Sequence, residues 1–409
     1  MEGLLTRSYL LDLAIATVLV WLSDYYLPRK IAQVGLTVMA LHLLKGQGLH
    51  SEYTDVQLDQ DHVVFQGSPQ EALAVYLSGN LTFRCKDPLT IKHIRLHLTG
   101  VRRVSLPART AWKRQASEEE FYKRTWEFHD SYRTTPQVLP AGEYKLPFNV
   151  VLEGSLPESV EGVKDASIAY MFTVEIGRKH GRDVKFQKPL RVIRVPENCA
   201  QDMTLDEVWA EKIAYQIHVP NKMVAFGTSV DVNHAFVPAM KGLKIEYVES
   251  QLLEIRDFAL NEAEMDTGKN TSSTTTVLSS DRYLLENSPP EIAVKDCAGF
   301  QFSRSLHLPR VLGQCVQDID AKGIRIKHKL KINVRMHNPD GHVSELRLAI
   351  PVSIYLSPYY RIWEGSSIAG LETPPPQGAL SPSDEAPPAY GSHELDRLYS
   401  PDSNTQLAT

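Results

Sequence analysis

Cysteine is scarce in this sequence, and the scarcity narrows the chemistry at once. The four that occur, Cys85, Cys199, Cys297 and Cys315, lie far apart, with no C-x-x-C pair and no histidine at a zinc-binding spacing. They read as reduced thiols of an intracellular protein, so neither a disulfide framework nor a metal site is expected. An excess of positive charge is missing as well. Lys and Arg number 44 against 49 Asp and Glu, a net charge of −5, so the chain as a whole does not attract polyanions and nucleic-acid binding is not expected. The short motifs of common active sites are also lacking. There is no G-x-S-x-G elbow, no phosphate loop of the G-x-x-x-x-G-K-[ST] type, no G-x-G-x-x-G after a strand and no H-E-x-x-H. The 14 histidines are scattered. A non-catalytic protein without metal or cofactor is the expectation.

Apolar runs long enough to span a bilayer are absent too. Tyr9 to Leu22 and Ile31 to Leu44 are mostly apolar but each falls short of the roughly 20 residues a spanning helix needs, Asp12 interrupts the first, and Pro28-Arg29-Lys30 separates them. Glu2 beside Arg7 argues against a secretory leader. Residues 1–50 therefore form an atypical apolar extension, either a plain helical addition or a membrane-associated hairpin.

Helical periodicity is nearly missing between Tyr53 and Pro358, and strand patterns take its place. Ile94, Leu96 and Leu98 alternate with Arg95 and His97, the period of two that marks a half-buried strand. The longest case runs from Ile324 to Met336, where Ile324, Ile326, Leu330, Ile332, Val334 and Met336 alternate with Arg325, Lys327, Lys329, Lys331, Asn333 and Arg335, and only His328 interrupts the apolar side. Pro339-Asp340-Gly341 then predicts a turn into the next strand. Many short strands and few helices predict an all-β chain of antiparallel sandwiches. The polar stretch from Pro196 to Leu205 predicts a linker between a first domain at 53–196 and a second at 213–358. Within the second, the Ser/Thr-rich stretch at about 262–281 has no periodic apolar face and predicts a long mobile loop.

Three stretches resemble a known family. LPAGEYKLPFNVVLEGSLPESVEG (Leu139 to Gly162) and LTIKHIRLHLTGV (Leu89 to Val101) resemble the arrestin N-domain, and the stretch from Leu306 to Pro358 is similar to the arrestin C-domain of fungal arrestin-related trafficking adaptors of the CreD type. The resemblance implies two arrestin-like sandwiches in tandem and no catalysis. It also implies a cytoplasmic adaptor, peripheral to plasma membrane and endosomes. Such an adaptor recognises membrane transporters or signalling proteins and brings a HECT-type, Nedd4-class ubiquitin ligase to them, with CreD-like members linked to carbon-source regulation.

Residues 359–409 form a proline-rich tail predicted to be disordered. Pro387-Pro388-Ala389-Tyr390 has the PPxY form. The two prolines bias the backbone to polyproline II, where residues three apart project to one side, so Pro387 and Tyr390 present together to the aromatic groove of a WW domain. Leu395 and Leu398, with Tyr399, share one side of a short helical turn and are candidate accessory contacts to the ligase. Thr373, Ser381 and Ser400 each precede proline and are candidate phosphorylation sites. For acidic or phosphorylated cargo tails the candidate cations are Lys92, Arg95, Arg102 and Arg103, and then Arg178, Lys179, Arg182, Lys185 and Lys188. Lys212 is the candidate ubiquitin acceptor. The competing readings are an arrestin-fold sorting subunit of the retromer kind that needs no ligase contact, and a scaffold tethered to a membrane by residues 1–50.

Overall fold

A computed structural model of the chain describes residues 54–107, 115–130, 137–179, 181–285, 292–294 and 297–359. The apolar extension 1–50, the tail motif at Pro387, Pro388 and Tyr390, the accessory Leu395 and Leu398, and the three serine and threonine sites of the tail lie outside the described residues.

The first sandwich contains β1 (Thr54–Leu58), β2 (His62–Gln66), β3 (Val75–Cys85), β4 (Leu89–Leu106), β5 (Gln115–Asp130), β6 (Gln137–Leu139), β7 (Gly142–Leu152), β8 (Ala166–Arg178) and β9 (Val184–Val195). A three-stranded sheet, β1-β3-β7, faces a six-stranded one ordered β2-β9-β8-β4-β5, with β6 pairing the first residues of β4. The second sandwich contains β10 (Met203–Trp209), β11 (Ile213–Val219), β12 (Met223–Ala225), β13 (Ser229–Pro238), β14 (Lys244–Phe258), α1 (Glu262–Thr267), β15 (Ser272–Leu284), β16 (Ile292–Val294), β17 (Cys297–His307), β18 (Ile319–Ala321), β19 (Ile324–His337) and β20 (Val343–Tyr355). Its sheets are ordered β10-β11-β13-β17-β16 and β12-β20-β19-β14-β15, with β18 beside the start of β19. Pairing is antiparallel except where β2 runs along β9 and β12 along β20.

The alternation read from the sequence is what builds the cores. Along β19 every second residue from Ile324 to Met336 is buried, and along β4 Ile94, Leu96 and Leu98 point inward while Arg95 and His97 stay half-buried outside. Full burial of one such aliphatic side chain stabilises by about 1.5–3 kcal/mol. The cores also touch. Phe258, Val316, Ile319, Ile324 and Ile326 of the second sandwich pack into the same buried cluster as Leu96, Tyr170 and Phe172 of the first, and Ile193 of the first packs with the second. An apolar junction of this kind resists relative motion of the two units.

Two expectations are corrected. The stretch at 262–281 is not a mobile loop. Asn261 caps α1 by accepting a hydrogen bond from the Glu264 N–H, and Gly268 ends the helix in the left-handed region at φ 66°. The Ser/Thr run then becomes β15, paired with β14 from Phe258↔Ser272 to Tyr247↔Leu284. Threonine and valine favour extended backbone, and a strand on a sheet edge needs no continuous apolar face. The second sandwich also begins before residue 213. β10, inside the stretch read as linker, pairs with β11 from Met203↔Val219 to Trp209↔Ile213.

Candidate functional site

Strand alternation decides the fate of the first group of candidate cations. Lys92, Arg95 and Arg103 leave β4 on the solvent side, whereas Arg102, one residue before Arg103, points to the opposite face. Arg102 is only 1% exposed, so it cannot meet a cargo tail and leaves that group. Its Nε donates to the Lys322 carbonyl (2.7 Å), Nη2 to the Ala259 carbonyl (2.8 Å) and Nη1 to Ser117 Oγ (2.9 Å). One guanidinium thus ties the first sandwich to two main-chain carbonyls of the second. Burial lowers its pKa from the ordinary arginine value, and Glu119 and Glu262 act in the opposite direction. The turn it grips, Lys322-Gly323, joins β18 to β19 with φ of 54° and 73°, as a two-residue hairpin of type I′ requires. A Cβ on Gly323 would fall 2.9 Å from the Ala259 carbonyl oxygen and 3.1 Å from Arg102 Nη2. Glycine therefore serves both the turn and the clasp.

The remaining cations sit among acids. Arg103 forms a two-pronged pair with Glu118 (3.0 and 3.2 Å), Arg95 meets Glu127 (3.4 Å), Lys185 meets Glu175 (2.9 Å), and Lys188 bonds to Asp55 and to the Val56 carbonyl. The Arg103 partnership lowers the Glu118 pKa, and the Lys185 hydrogen bond does the same for Glu175. Arg178 Nε donates to the Arg182 carbonyl. The outer face of this sheet is a mosaic of both signs rather than a basic strip. One concentration does form: the Lys179 N–H bonds to the Thr90 carbonyl (2.9 Å), and Ile91 pairs with Arg178, so Lys92 joins Arg178 and Lys179 at one end of the sheet. Lys92 and Lys179 are exposed and have no ion pair with a described residue.

A second concentration lies in the row of cations that the alternation along Ile324 to Met336 places on the solvent side, which sequence reasoning did not count among the cargo candidates. On the outer face of β19, Lys329 lies between Leu253 and Pro351, and Lys331 between Gln251 and Ala349. Neither lysine has an ion pair with a described residue, whereas Arg325 meets Asp320 (2.7 Å) and Arg335 meets Glu246 (3.0 Å). The signal was available in the uncharged partners opposite them, but it requires the register. Lys212, the candidate acceptor, is half-buried. Its Nζ contacts Asn338 Oδ1 (3.2 Å) and Ser344 Oγ (3.1 Å) and lies 5.9 Å from the Trp209 ring centre.

Buried polar groups gather where the sandwiches meet. Gln317 Nε2 donates to the Ser159 carbonyl (2.6 Å) across the junction. Gly162 and Gly313 touch backbone to backbone, since a Cβ on Gly162 would lie 2.6 Å from the Leu312 carbonyl carbon. A cleft of about 420 Å³ opens beside them, lined by Glu158 and Arg194 of the first sandwich and by Asp318, Ile326, Lys327 and Tyr355 of the second. Its charged groups are already engaged. Arg194 bonds to Glu158 (3.2 Å) and to the carbonyls of Gly67, Gly154 and Leu156. Burial raises the Glu158 pKa even so.

Beneath the cleft, His328 Nδ1 meets Asp318 Oδ1 (2.6 Å) and Nε2 meets Glu254 Oε2 (3.1 Å), and Glu254 also accepts from the Val316 N–H. Burial alone would lower the His328 pKa, but hydrogen bonds with Asp318, Cys315 and Glu254 outweigh it and raise it to about 11. Burial pushes the Cys315 thiol up. Glu254, Cys315 and His328 have metal-ligand atoms within 4.8 Å of one another. Their chemistry nevertheless suits an ion-paired imidazolium, because both ring nitrogens are spoken for by carboxylates and a ligating imidazole must be neutral. With its histidine protonated and its thiol raised, the cluster also lacks an activated nucleophile.

Comparison with known proteins bears on the same residues. Residues 54–197 match the family described as Arrestin (or S-antigen), N-terminal domain, and residues 209–359 match Arrestin (or S-antigen), C-terminal domain. The chain is 59% identical over 372 residues to the HECT-type ubiquitin ligase-interacting protein apyA of Emericella nidulans, covering 89% of this chain and 100% of that protein. It is 44% identical to the HECT-type ubiquitin ligase-interacting protein creD of the same organism, covering 88% of this chain and 63% of that one. It is also 44% identical to a probable creD protein of Aspergillus terreus, covering 88% of this chain and 65% of its relative.

Proposed function

This chain belongs to the arrestin family, and from that membership we propose that it is a non-catalytic adaptor that recruits a HECT-type, Nedd4-class ubiquitin ligase to membrane transporters or signalling proteins. The observation that carries the reading is the joining, in one chain, of two arrestin domains with Pro387-Pro388-Ala389-Tyr390. Relatives named for their interaction with HECT-type ligases support it. A stiff Pro-Pro segment that presents a tyrosine loses little conformational entropy on entering a WW groove. Cargo tails bearing acidic or phosphorylated residues dock on exposed cations that have no ion pair with a described residue, Lys92 and Lys179 among them. The adaptor works in the cytoplasm against the plasma membrane and endosomes, and delivers its cargo to ubiquitination and endocytosis in carbon-source regulation.

The decisive measurement uses the full chain and the purified WW domains of such a ligase. Tyr390→Ala should weaken binding about tenfold or more, because a single buried aromatic anchor dominates small interfaces of this type. Undiminished binding would reject ligase recruitment through this motif. Cargo turnover that persists in cells carrying Tyr390→Ala would point instead to a sorting subunit that acts without the ligase.

A further inference from the structure

The second sandwich ends its larger sheet in an edge that lacks most of the usual protection. β15 pairs only with β14 and closes the order β12-β20-β19-β14-β15. From Thr271 to Ser280 no side chain carries a charge and none is proline. Ser273, Thr274, Thr275, Thr276 and Val277 are exposed, with Val277 at 51%. Edge strands of soluble proteins are normally blunted by charge, proline, brevity, a bulge or a cover, and β15 has one bulge, at Leu278 near the end of the run, with Ser272 to Val277 in regular register. Among the described residues the other long edges follow that rule: β5 carries Glu118, Glu119, Glu120, Lys123 and Arg124, β10 carries Asp206 and Glu207, and β7 carries Glu143, Lys145 and Pro147. β1 is only five residues, and β2, β12 and β16 cover one end of β9, β20 and β17, whose open parts carry Lys185, Lys188 and Pro189, then Glu345, Arg347 and Pro351, and then Arg304 and His307.

We propose that β15 is an association surface for a second copy of this chain, the two β15 strands pairing antiparallel about a two-fold axis. Self-pairing places each residue opposite its own mirror position, so any charge near the axis meets a like charge. That would disfavour β5 or β10, and it costs β15 nothing. An axis through Thr275 sets Thr274 against Thr276 of the copy and Ser273 against Val277, hydroxyl and β-branched pairs that favour a sheet. The ends of the run add complementarity. Asp266 and Lys269 lie before it and Asp281 and Arg282 after it, so the antiparallel arrangement brings both signs to each end and forces no like-charged row together. With the axis at Thr275 the paired run extends from Ser272 to Leu278, a ladder of roughly 24 Å. Beyond it the strand is held by its own sandwich, through Asp281 with Arg304 and through Tyr283, whose ring lies 4.4 Å from that of Phe302.

Sedimentation equilibrium of the full chain tests this directly. The wild type should show concentration-dependent dimerisation, and T274K/T276K and T274E/T276E should each associate roughly tenfold more weakly. Thermal unfolding checks that these exposed substitutions leave the fold intact. An equimolar mixture of the Lys and Glu variants should recover the lost association as a heterodimer, because each lysine then faces a glutamate. A wild-type chain that stays monomeric at several hundred micromolar, variants that dimerise as well as the parent, or a mixture that fails to recover would each overturn the proposal. Restoration by charge exchange is the outcome that an extended peptide from another protein, bound to the same edge, would not produce.

Discussion

The junction between the sandwiches and the outer faces of their sheets use the same side chains for opposite ends. Arg103 on the outer face meets Glu118 with both groups about 60% exposed, and water screens what they gain. Arg102, its neighbour in sequence, has no carboxylate within bonding distance and satisfies its guanidinium on carbonyls of the other sandwich. Histidine divides similarly. His97 lies on the outer face, 3.9 Å from Glu175, while His328 is enclosed by two carboxylates. The comparison teaches that the weight of a charged group here depends on whether its partner can be replaced by water. At the junction it cannot, so loss of one group strands another.

Substitutions can break this contrast at graded cost. The largest effect is expected at His328→Leu, which leaves Glu254 and Asp318 without their shared cation and should destabilise by about 3–5 kcal/mol in denaturant unfolding. Arg102→Met follows at about 2–3 kcal/mol, because the Lys322 and Ala259 carbonyls lose a charged donor. Its outer-face counterpart, Arg103→Ala, should cost less than about 0.5 kcal/mol. A finding that Arg102→Met and Arg103→Ala cost the same would dissolve the distinction.

A smaller and opposite effect is expected at His234. This residue is 1% exposed, both ring nitrogens lack a hydrogen-bond partner, and the ring lies 4.8 Å from that of Phe302 and 6.1 Å from that of Phe236. Burial lowers its pKa to about 4. His234→Phe should preserve the stack and raise stability by about 1 kcal/mol near neutrality.

The two buried histidines also bend the pH profile in opposite senses. With a folded pKa raised to about 11, His328 contributes stability that is complete below the ordinary value near 6.5 and is lost as pH rises through 11. With a folded pKa lowered to about 4, His234 contributes fully above 6.5, and that stability is lost as pH falls through 4. Unfolding measured across pH should therefore show a flatter acid limb for His234→Phe, with the alkaline limb unchanged.

Much of the fold was legible because one face of most strands is core. The period of two along β4 and β19 sufficed to place them, and the arrestin resemblance fixed the tandem arrangement. Reading failed where that criterion does not apply. β15 lies on an edge and carries hydroxyls instead of an apolar face. Asn261, Glu264 and Gly268 held the capping signature of α1, but six residues between two strands give too short a helical pattern to stand out. Among site residues, Arg102 was grouped with Arg103 by proximity in sequence, although adjacent strand positions face opposite ways. Its role as a clasp depends on Lys322 and Ala259, and contacts across such distances in sequence leave no local trace. The lysine pair at Lys329 and Lys331 was visible as alternating charge, yet the uncharged residues directly opposite it emerge only when β14 and β20 are set beside it.

The shared core has a practical consequence for anyone dividing the molecule. Phe258, Val316, Ile319, Ile324 and Ile326 find their apolar surroundings in the other half, so a fragment cut between residues 197 and 203 would bare a greasy seam on each piece. Half-molecules made to locate a partner would report their own stickiness. Point changes on intact protein are the trustworthy cartography for this chain.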